Sequence, residues 1–333
     1  MLRRSLLATA ISMGTAVAAV AAFGLAASPA SAAATYTLQT FPDQGFSSVY
    51  GLINGAQKSI NMTMYELADT TAENDLAAAA ARGVDVRVIL DQAEKSTNAA
   101  AFKFLNANGV DAVYSSTAYT FTHQKTITVD GTTADILTAN LTSKFYSTTR
   151  DFGVVDTDAA DISAITTVFN ADFAHKAVTP GDGDDLAWSP TDSQTHLLAV
   201  INGATASLRL FEEEMSDTAV INALVSAAKR GVDVQLTGEN EDGEYDSEYT
   251  KLADAGVHIS YYSSSTGFYI HAKVIEADFG TSAARAFIGS ENVTANSLND
   301  NRELGLIVST PAILSSVEAA FSTDFAGGTP FTS

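Results

Sequence analysis

The 333-residue chain contains no cysteine. Thiolate nucleophiles, cysteine-ligated zinc and disulfide cross-links are therefore excluded together. Positive charge is scarce as well: 18 Lys and Arg stand against 39 Asp and Glu, a net charge of −21. A nonspecific nucleic-acid binder carries a basic face, so this acidity counts against one, although a local basic pocket could coexist with it. Beyond residue 32 no run of about 18 apolar residues occurs, so no membrane-spanning helix is expected there.

The first 32 residues are of a different kind. Arg3 and Arg4 precede a small and apolar run that ends at Ala30-Ser31-Ala32. This is the pattern of a secretory signal with an A-x-A cleavage site, and Arg3–Leu7 loosely resembles a twin-arginine signal. The expectation is export, with cleavage near Ala32 and a secreted product of 301 residues. Losing Arg3 and Arg4 leaves 16 basic against 39 acidic residues, net −23. That length is ample for a large core and two domains without disulfide support.

An internal repeat organises this part of the chain. INGA at Ile53–Ala56 recurs at Ile201–Ala204, and RGVDV at Arg82–Val86 recurs at Arg230–Val234. Both offsets are 148, and Pro42/Pro190 and Glu66/Glu214 share it. HQKTITVD at His123–Asp130 is matched at the same offset by HAKVIEAD at His271–Asp278. The chain is a tandem duplication, with expected units at 36–176 and 189–330 joined by a linker at 177–188.

Each half reads as an α/β unit. Ser59–Glu66 predicts a strand, and Thr70-x-x-Glu73 predicts a capping box opening a helix over Thr71–Arg82 that stops at Gly83. Val84–Leu90 predicts a buried strand, followed by a helix over Ala99–Asn108 and a strand over Val110–Tyr114. Thr122–Val129 is rich in β-branched residues and ends at Asp130-Gly131, a hairpin signal. On such a strand His123 and Lys125 point the same way, and Asp130, seven residues from His123, points the other way. Strand parity therefore gives Asp130 and Asp278 a structural place in the turn.

Other groups recur in register. Thr138 and Asn140 in the first half answer to Ser290 and Asn292 in the second. Eleven residues beyond each Asn stands a carboxylate, Asp151 or Glu303. Glu66 and Glu214 stand at strand ends, where an α/β site opens; pocket wall and exposed strand end both remain open for them. His175, His196 and His258 have no partner at the 148 offset and read as surface or packing residues. Glu239–Glu248 holds six acidic residues without a calcium-loop pattern and reads as a solvated loop.

The two HxKxxxxD copies, the GSxN element at Gly289–Asn292 and the RGVDV junctions resemble the phospholipase D superfamily. The resemblance covers roughly residues 36–325. It implies a duplicated α/β/α sandwich whose halves meet about a pseudo-twofold axis and share one site, with no metal and no cofactor. It also implies a catalytic set of His123, Lys125, Asp130, His271, Lys273 and Asp278. His123 would attack phosphorus to give a phosphohistidine, and His271 would protonate the leaving alcohol. The lysines would offset charge on the phosphoryl oxygens, and Asn140, Asn292, Ser290 and Thr138 would bind substrate. Asp151 and Glu303 would orient the imidazoles. Two departures stand out: Leu137-Thr138 replaces Gly-Ser in the first half, with Leu137 expected to narrow the pocket, and ten residues rather than six separate Asp278 from Gly289. The expected activity is phospholipid head-group hydrolysis or transfer at a membrane or micelle surface by a monomer. A nuclease or a cardiolipin synthase-like transferase of the same superfamily are the alternatives.

Overall fold

The computed structural model describes residues 35–332, so the expected signal segment lies outside the described residues. The first half contains strands β1 (Tyr36–Phe41), β2 (Ser59–Met64), β3 (Asp85–Leu90), β4 (Asp111–Tyr114), β5 (Thr126–Val129), β6 (Thr133–Leu137) and β7 (Thr149–Asp156). Helices α1 (Ser47–Gly55), α2 (Thr70–Ala81), α3 (Lys95–Ala107) and α4 (Ala159–Phe173) are interspersed. The sheet runs β1-β7-β6-β5-β2-β3-β4, with β2, β3 and β4 parallel and the remaining neighbours antiparallel.

The second half copies this order. Its strands are β8 (Leu186–Ser189), β9 (Ser207–Glu212), β10 (Asp233–Glu239), β11 (His258–Tyr262), β12 (Lys273–Ala277), β13 (Arg285–Gly289) and β14 (Glu303–Val308). Its main helices are α5 (Ser193–Gly203), α6 (Thr218–Lys229), α7 (Asp246–Ala253) and α8 (Pro311–Gly327). The sheet runs β8-β14-β13-β12-β9-β10-β11 and ends on the short strand Thr329–Pro330. The duplicated α/β expectation holds, and both repeat prolines, Pro42 and Pro190, follow cis peptide bonds.

Each half has its own apolar core, and a third is shared between them. Ile136, Phe152 and Val154 of the first sheet meet Phe211, Val274, Ile288 and Leu304 of the second, with Ile165 of α4 and Phe321 of α8. Phe152 and Phe211 stack edge to face with centroids 5.3 Å apart. The shared core fixes how one half is seated on the other, and so where the two histidine segments meet.

Four local expectations are corrected. Helix α2 is capped by Asp69, which accepts from Thr71 and Ala72 N–H at 2.8 and 3.3 Å, rather than by a Thr70/Glu73 box. A carboxylate one residue earlier meets the same unsatisfied amides. Helix α3 starts at Lys95, four residues before the expected Ala99. The expected linker's end is already β8, because Leu186 and Trp188 are buried in the shared core. The strand carrying the first motif begins only at Thr126, so His123 and Lys125 lie in the extended approach to it.

Candidate active site

The extended approach is held by the other half of the chain. The N–H groups of His123 and Gln124 both donate to the carbonyl of Arg302, at 2.9 and 3.0 Å. The N–H groups of His271 and Ala272 both donate to the carbonyl of Arg150, at 3.2 and 3.0 Å. Each histidine segment thus hangs on the strand entrance that carries the opposite half's carboxylate. His123 Nδ1 lies 2.9 Å from Glu303 Oε2, and His271 Nδ1 lies 2.8 Å from Asp151 Oδ1. A carboxylate facing Nδ1 fixes the proton there and leaves Nε2 for chemistry.

The carboxylates are themselves anchored. Glu303 accepts from Ser297 Oγ at 2.7 Å and Asn301 Nδ2 at 2.9 Å. Asp151 accepts from Thr138 Oγ1 at 2.5 Å. Burial raises the Glu303 carboxyl, but His123, Lys125 and the Asn301 amide outweigh it and hold Glu303 below its ordinary value. Burial pulls His123 down to about 4 against the opposing pull of Glu303, so the ring is neutral near pH 7.

Both lysines are completely buried beneath the histidines. Lys125 Nζ donates to the His123 carbonyl at 2.5 Å, and Lys273 Nζ donates likewise to the His271 carbonyl. Burial lowers Lys125 to about 7, a value an arriving phosphate anion would raise again.

Both histidines, both asparagines and Asp151 line one cavity of about 510 Å³ between the halves. The Oδ1 atoms of Asn140 and Asn292 are buried there without a hydrogen-bond partner among the described residues. Glu66 and Glu214 also line the cavity, which closes the question about those strand ends in favour of the pocket wall.

Several expected site residues do other work. Asp130 and Asp278 are not in the catalytic set: they sit in the hairpin turns at φ 55° and 56°, facing away from the cavity. Asp130 accepts from the N–H groups of Gln57, Lys58 and Ser59 at 2.7–3.1 Å, and Asp278 does the same for Thr205, Ala206 and Ser207. Thr138 and Ser290 are fully buried and do not line the cavity. Each accepts from a carboxylate-strand amide, Phe152 N–H at 2.9 Å or Leu304 N–H at 3.1 Å, which ties the hairpin to that strand instead of to substrate. Leu137 packs in the first core and does not narrow the pocket. The acidic stretch Glu239–Glu248 is not wholly solvated either: Glu239 is buried and accepts from Ile270 N–H at 2.5 Å.

Other site residues emerge only in three dimensions. Tyr65 packs edge-on against the His123 ring, with centroids 4.6 Å apart, and lies under Lys125 Nζ at 5.1 Å. Glu213, its counterpart at the 148 offset, accepts from Lys273 Nζ at 2.6 Å and Tyr269 OH at 2.7 Å. Its Oε2 also lies 3.7 Å from His271 Nε2. Burial favours the neutral acid, but Lys273 and His271 outweigh it and hold Glu213 ionised, far below the usual carboxylate range. The aligned mismatch Tyr65/Glu213 was visible in the repeat, but nothing in it announced a role.

Two carboxylate-oriented imidazoles, two buried lysines and two asparagine amides around one cavity suit an anionic, tetrahedral phosphorus centre. Comparison with known proteins agrees. The family described as cardiolipin synthase, PLD-like domain, matches residues 49–173 and 197–325, one match per half. The chain belongs to this phospholipase D-like family, whose superfamily acts on phosphodiester bonds. Among curated proteins, the probable cardiolipin synthase YwiE of Bacillus subtilis (strain 168) is 33% identical over 129 residues. That match spans 37% of this chain and 25% of the relative's length. Among solved structures, phosphatidylserine synthase from Haemophilus influenzae Rd KW20 aligns with TM-score 0.67 and 12% identity, covering 89% of this chain and 87% of that one. Polyphosphate kinase from Porphyromonas gingivalis aligns with TM-score 0.68 and 16% identity over 87% of this chain and 50% of that one. At these identities the two structures share the fold.

Proposed function

We propose that this protein is an exported phospholipase D that releases phospholipid head groups by two displacements through a phosphohistidine. The observation that supports it best is the pair of cross-anchored histidines opening on one cavity. In the first step His123 Nε2 attacks phosphorus, the bond to the head-group oxygen breaks, and His271 delivers its Nε2 proton to the leaving alkoxide. In the second, His271 takes a proton from water or an alcohol, whose oxygen attacks phosphorus and breaks the P–N bond. His123 is restored and His271 is again protonated. Lys125 and Lys273 offset charge on the non-bridging oxygens, and Asn140 and Asn292 contribute amide contacts.

The cavity wall favours a cationic head group, as in phosphatidylcholine or phosphatidylethanolamine. Glu66, Glu213 and Glu214 supply negative charge, and Phe46, Tyr65, Tyr146 and Tyr269 supply ring faces. A quaternary ammonium over such a ring gains about 0.5–2 kcal/mol. The same wall disfavours a polyanion, so the nuclease alternative is weaker. The likeness to a probable cardiolipin synthase supports a second reading, phosphatidyl transfer to an alcohol, through the same intermediate. For localisation, the N-terminal signal pattern is the support, and no helix among the described residues is long and apolar enough to cross a membrane.

The test is product analysis with purified protein, a phospholipid panel and DNA. Phosphatidylcholine is expected to yield phosphatidic acid. Added ethanol or glycerol should divert the product to phosphatidylethanol or phosphatidylglycerol while choline release stays nearly constant. Cleavage of DNA alone would overturn the lipid reading. Phosphatidic acid as the only product at every alcohol concentration would argue against the covalent intermediate.

A further inference from the structure

The His, Lys, Asn and orienting carboxylate of the two halves correspond, but the groups packed beside each histidine–lysine pair do not. In the first half Phe121 and Tyr65 pack ring against ring, with centroids 5.9 Å apart. At the 148 offset the same places hold Tyr269 and Glu213, joined by a 2.7 Å hydrogen bond. Tyr65 and Glu213 each abut the buried lysine and the histidine of their own half. The lysine partner is therefore a neutral ring face in one half and a carboxylate in the other.

This difference falls on groups that are otherwise equivalent. His123 has one carboxylate, Glu303, on Nδ1; the Tyr65 ring stands beside it, and Lys125 lies below with no carboxylate within salt-bridge distance among the described residues. His271 has Asp151 on Nδ1 and Glu213 Oε2 3.7 Å from Nε2, with Lys273 below and Tyr269 alongside. An imidazole flanked by carboxylates on both nitrogens is stabilised as the cation. One facing an uncompensated lysine is stabilised as the neutral base. A nucleophile must be neutral, and a proton donor must be charged.

We infer that Glu213 is a positioning residue that divides the labour between the two histidines, holding the proton on His271 and leaving His123 to attack. It also acts as an internal counter-anion on Lys273, so the resting site draws a free phosphate less strongly than a lysine-rich pocket would. The inference rests on the two-histidine phosphodiesterase reading and deepens it.

The experiment compares wild type with Glu213→Gln on phosphatidylcholine and on phosphatidyl-p-nitrophenol, whose leaving group needs no proton. The expected result is a loss of kcat on the choline ester of about 10²-fold, the usual size of a general-acid contribution, with the nitrophenyl ester affected only slightly. The alkaline limb of the choline-ester profile should move to lower pH by roughly one unit or more. Equal loss on both esters with an unmoved limb would overturn the inference. Calorimetry with inorganic phosphate needs no turnover. Glu213→Gln should bind phosphate about tenfold more tightly, because Lys273 has lost its anion, and unchanged affinity would again overturn the inference. Should Glu213→Gln fail to fold, Glu213→Asp, which keeps the charge but draws it back from Lys273, should show the same signs at smaller size; wild-type behaviour in all three measurements would overturn the inference. If wild type cleaves neither ester, the functional reading fails, and the phosphate measurement still decides the role of Glu213.

Discussion

His123 and His271 are each incomplete alone, because the carboxylate that orients each ring belongs to the other half. The contacts His123–Glu303 and His271–Asp151 span 180 and 120 residues of chain. His123→Ala and His271→Ala should therefore each lower kcat by at least about 10³-fold, as loss of one member of a coupled catalytic unit does. Retention of half the rate in either variant would show two independent sites. The buried lysines follow the same logic from below: each charge is fixed under a histidine carbonyl, with no room to swing toward water. Asp130 and Asp278, though part of the motif, act on amides at the turn, where burial raises each carboxyl but three N–H donors outweigh it and hold it below its ordinary value.

Strands β7 and β14 are the elements on which the site is built. At the entrance of each stands an arginine, Arg150 or Arg302, whose carbonyl holds the opposite histidine segment and whose side chain is buried in an ion-pair network. Arg302 is 1% exposed; its guanidinium donates to Asp172 at 2.9 and 3.2 Å and to the Tyr119 hydroxyl, and its Cζ lies 4.3 Å from the Tyr119 ring centroid. Arg150 is bound in the same way by Asp324 and Asp43. Replacing Arg302 by Met would leave the half-buried Asp172 without its cation, a change that costs up to about 3–5 kcal/mol. Urea unfolding of Arg302→Met should show that loss, and kcat should fall with it because the His123 segment loses a fixed anchor. Stability within 1 kcal/mol of wild type would mean that backbone pairing alone carries the junction.

For the molecule as a whole, pH is the revealing variable. Burial raises a set of carboxyls: Asp135 and Asp156 to about 7, Glu239 to about 8 and Glu276, despite the opposing pull of Arg209, to about 9. Asp161 beside Asp156 and Glu318 beside Glu276 add to the effect. For an acid whose folded value is raised, the folded state holds the proton longer than the unfolded chain. Its stabilising contribution is complete below about pH 4 and is lost as pH climbs through 7 to 9. Glu213, Glu303, Asp130 and Asp278 have lowered values, so their contribution is lost below about pH 4. The net charge of −21 adds self-repulsion as pH rises. Thermal unfolding should therefore give the highest Tm near pH 5 and a steady fall toward pH 9. Glu276→Gln should flatten the upper part of that fall. A Tm that is level or rising between pH 5 and 9 would contradict the account.

Repetition and local periodicity were legible from the chain alone, because both are short-range properties written into each half. They were enough for the α/β class, the duplication, the His/Lys pairs, the two asparagines and the carboxylates Asp151 and Glu303. The parity of a strand was enough to turn Asp130 away from His123. What stayed hidden depends on how one half is seated on the other. Strand β5 stops short of His123 because the Arg302 carbonyl, from the far half, takes the amides a longer strand would have used. The hydroxyls of Thr138 and Ser290 point to backbone amides of β7 and β14, a consequence of sheet register rather than of spacing. Which carboxylate meets which histidine, and the Glu213 carboxylate beside the second one, were decided by the shared core. Its burial is a sum over residues more than a hundred positions apart, and no local pattern carries that sum.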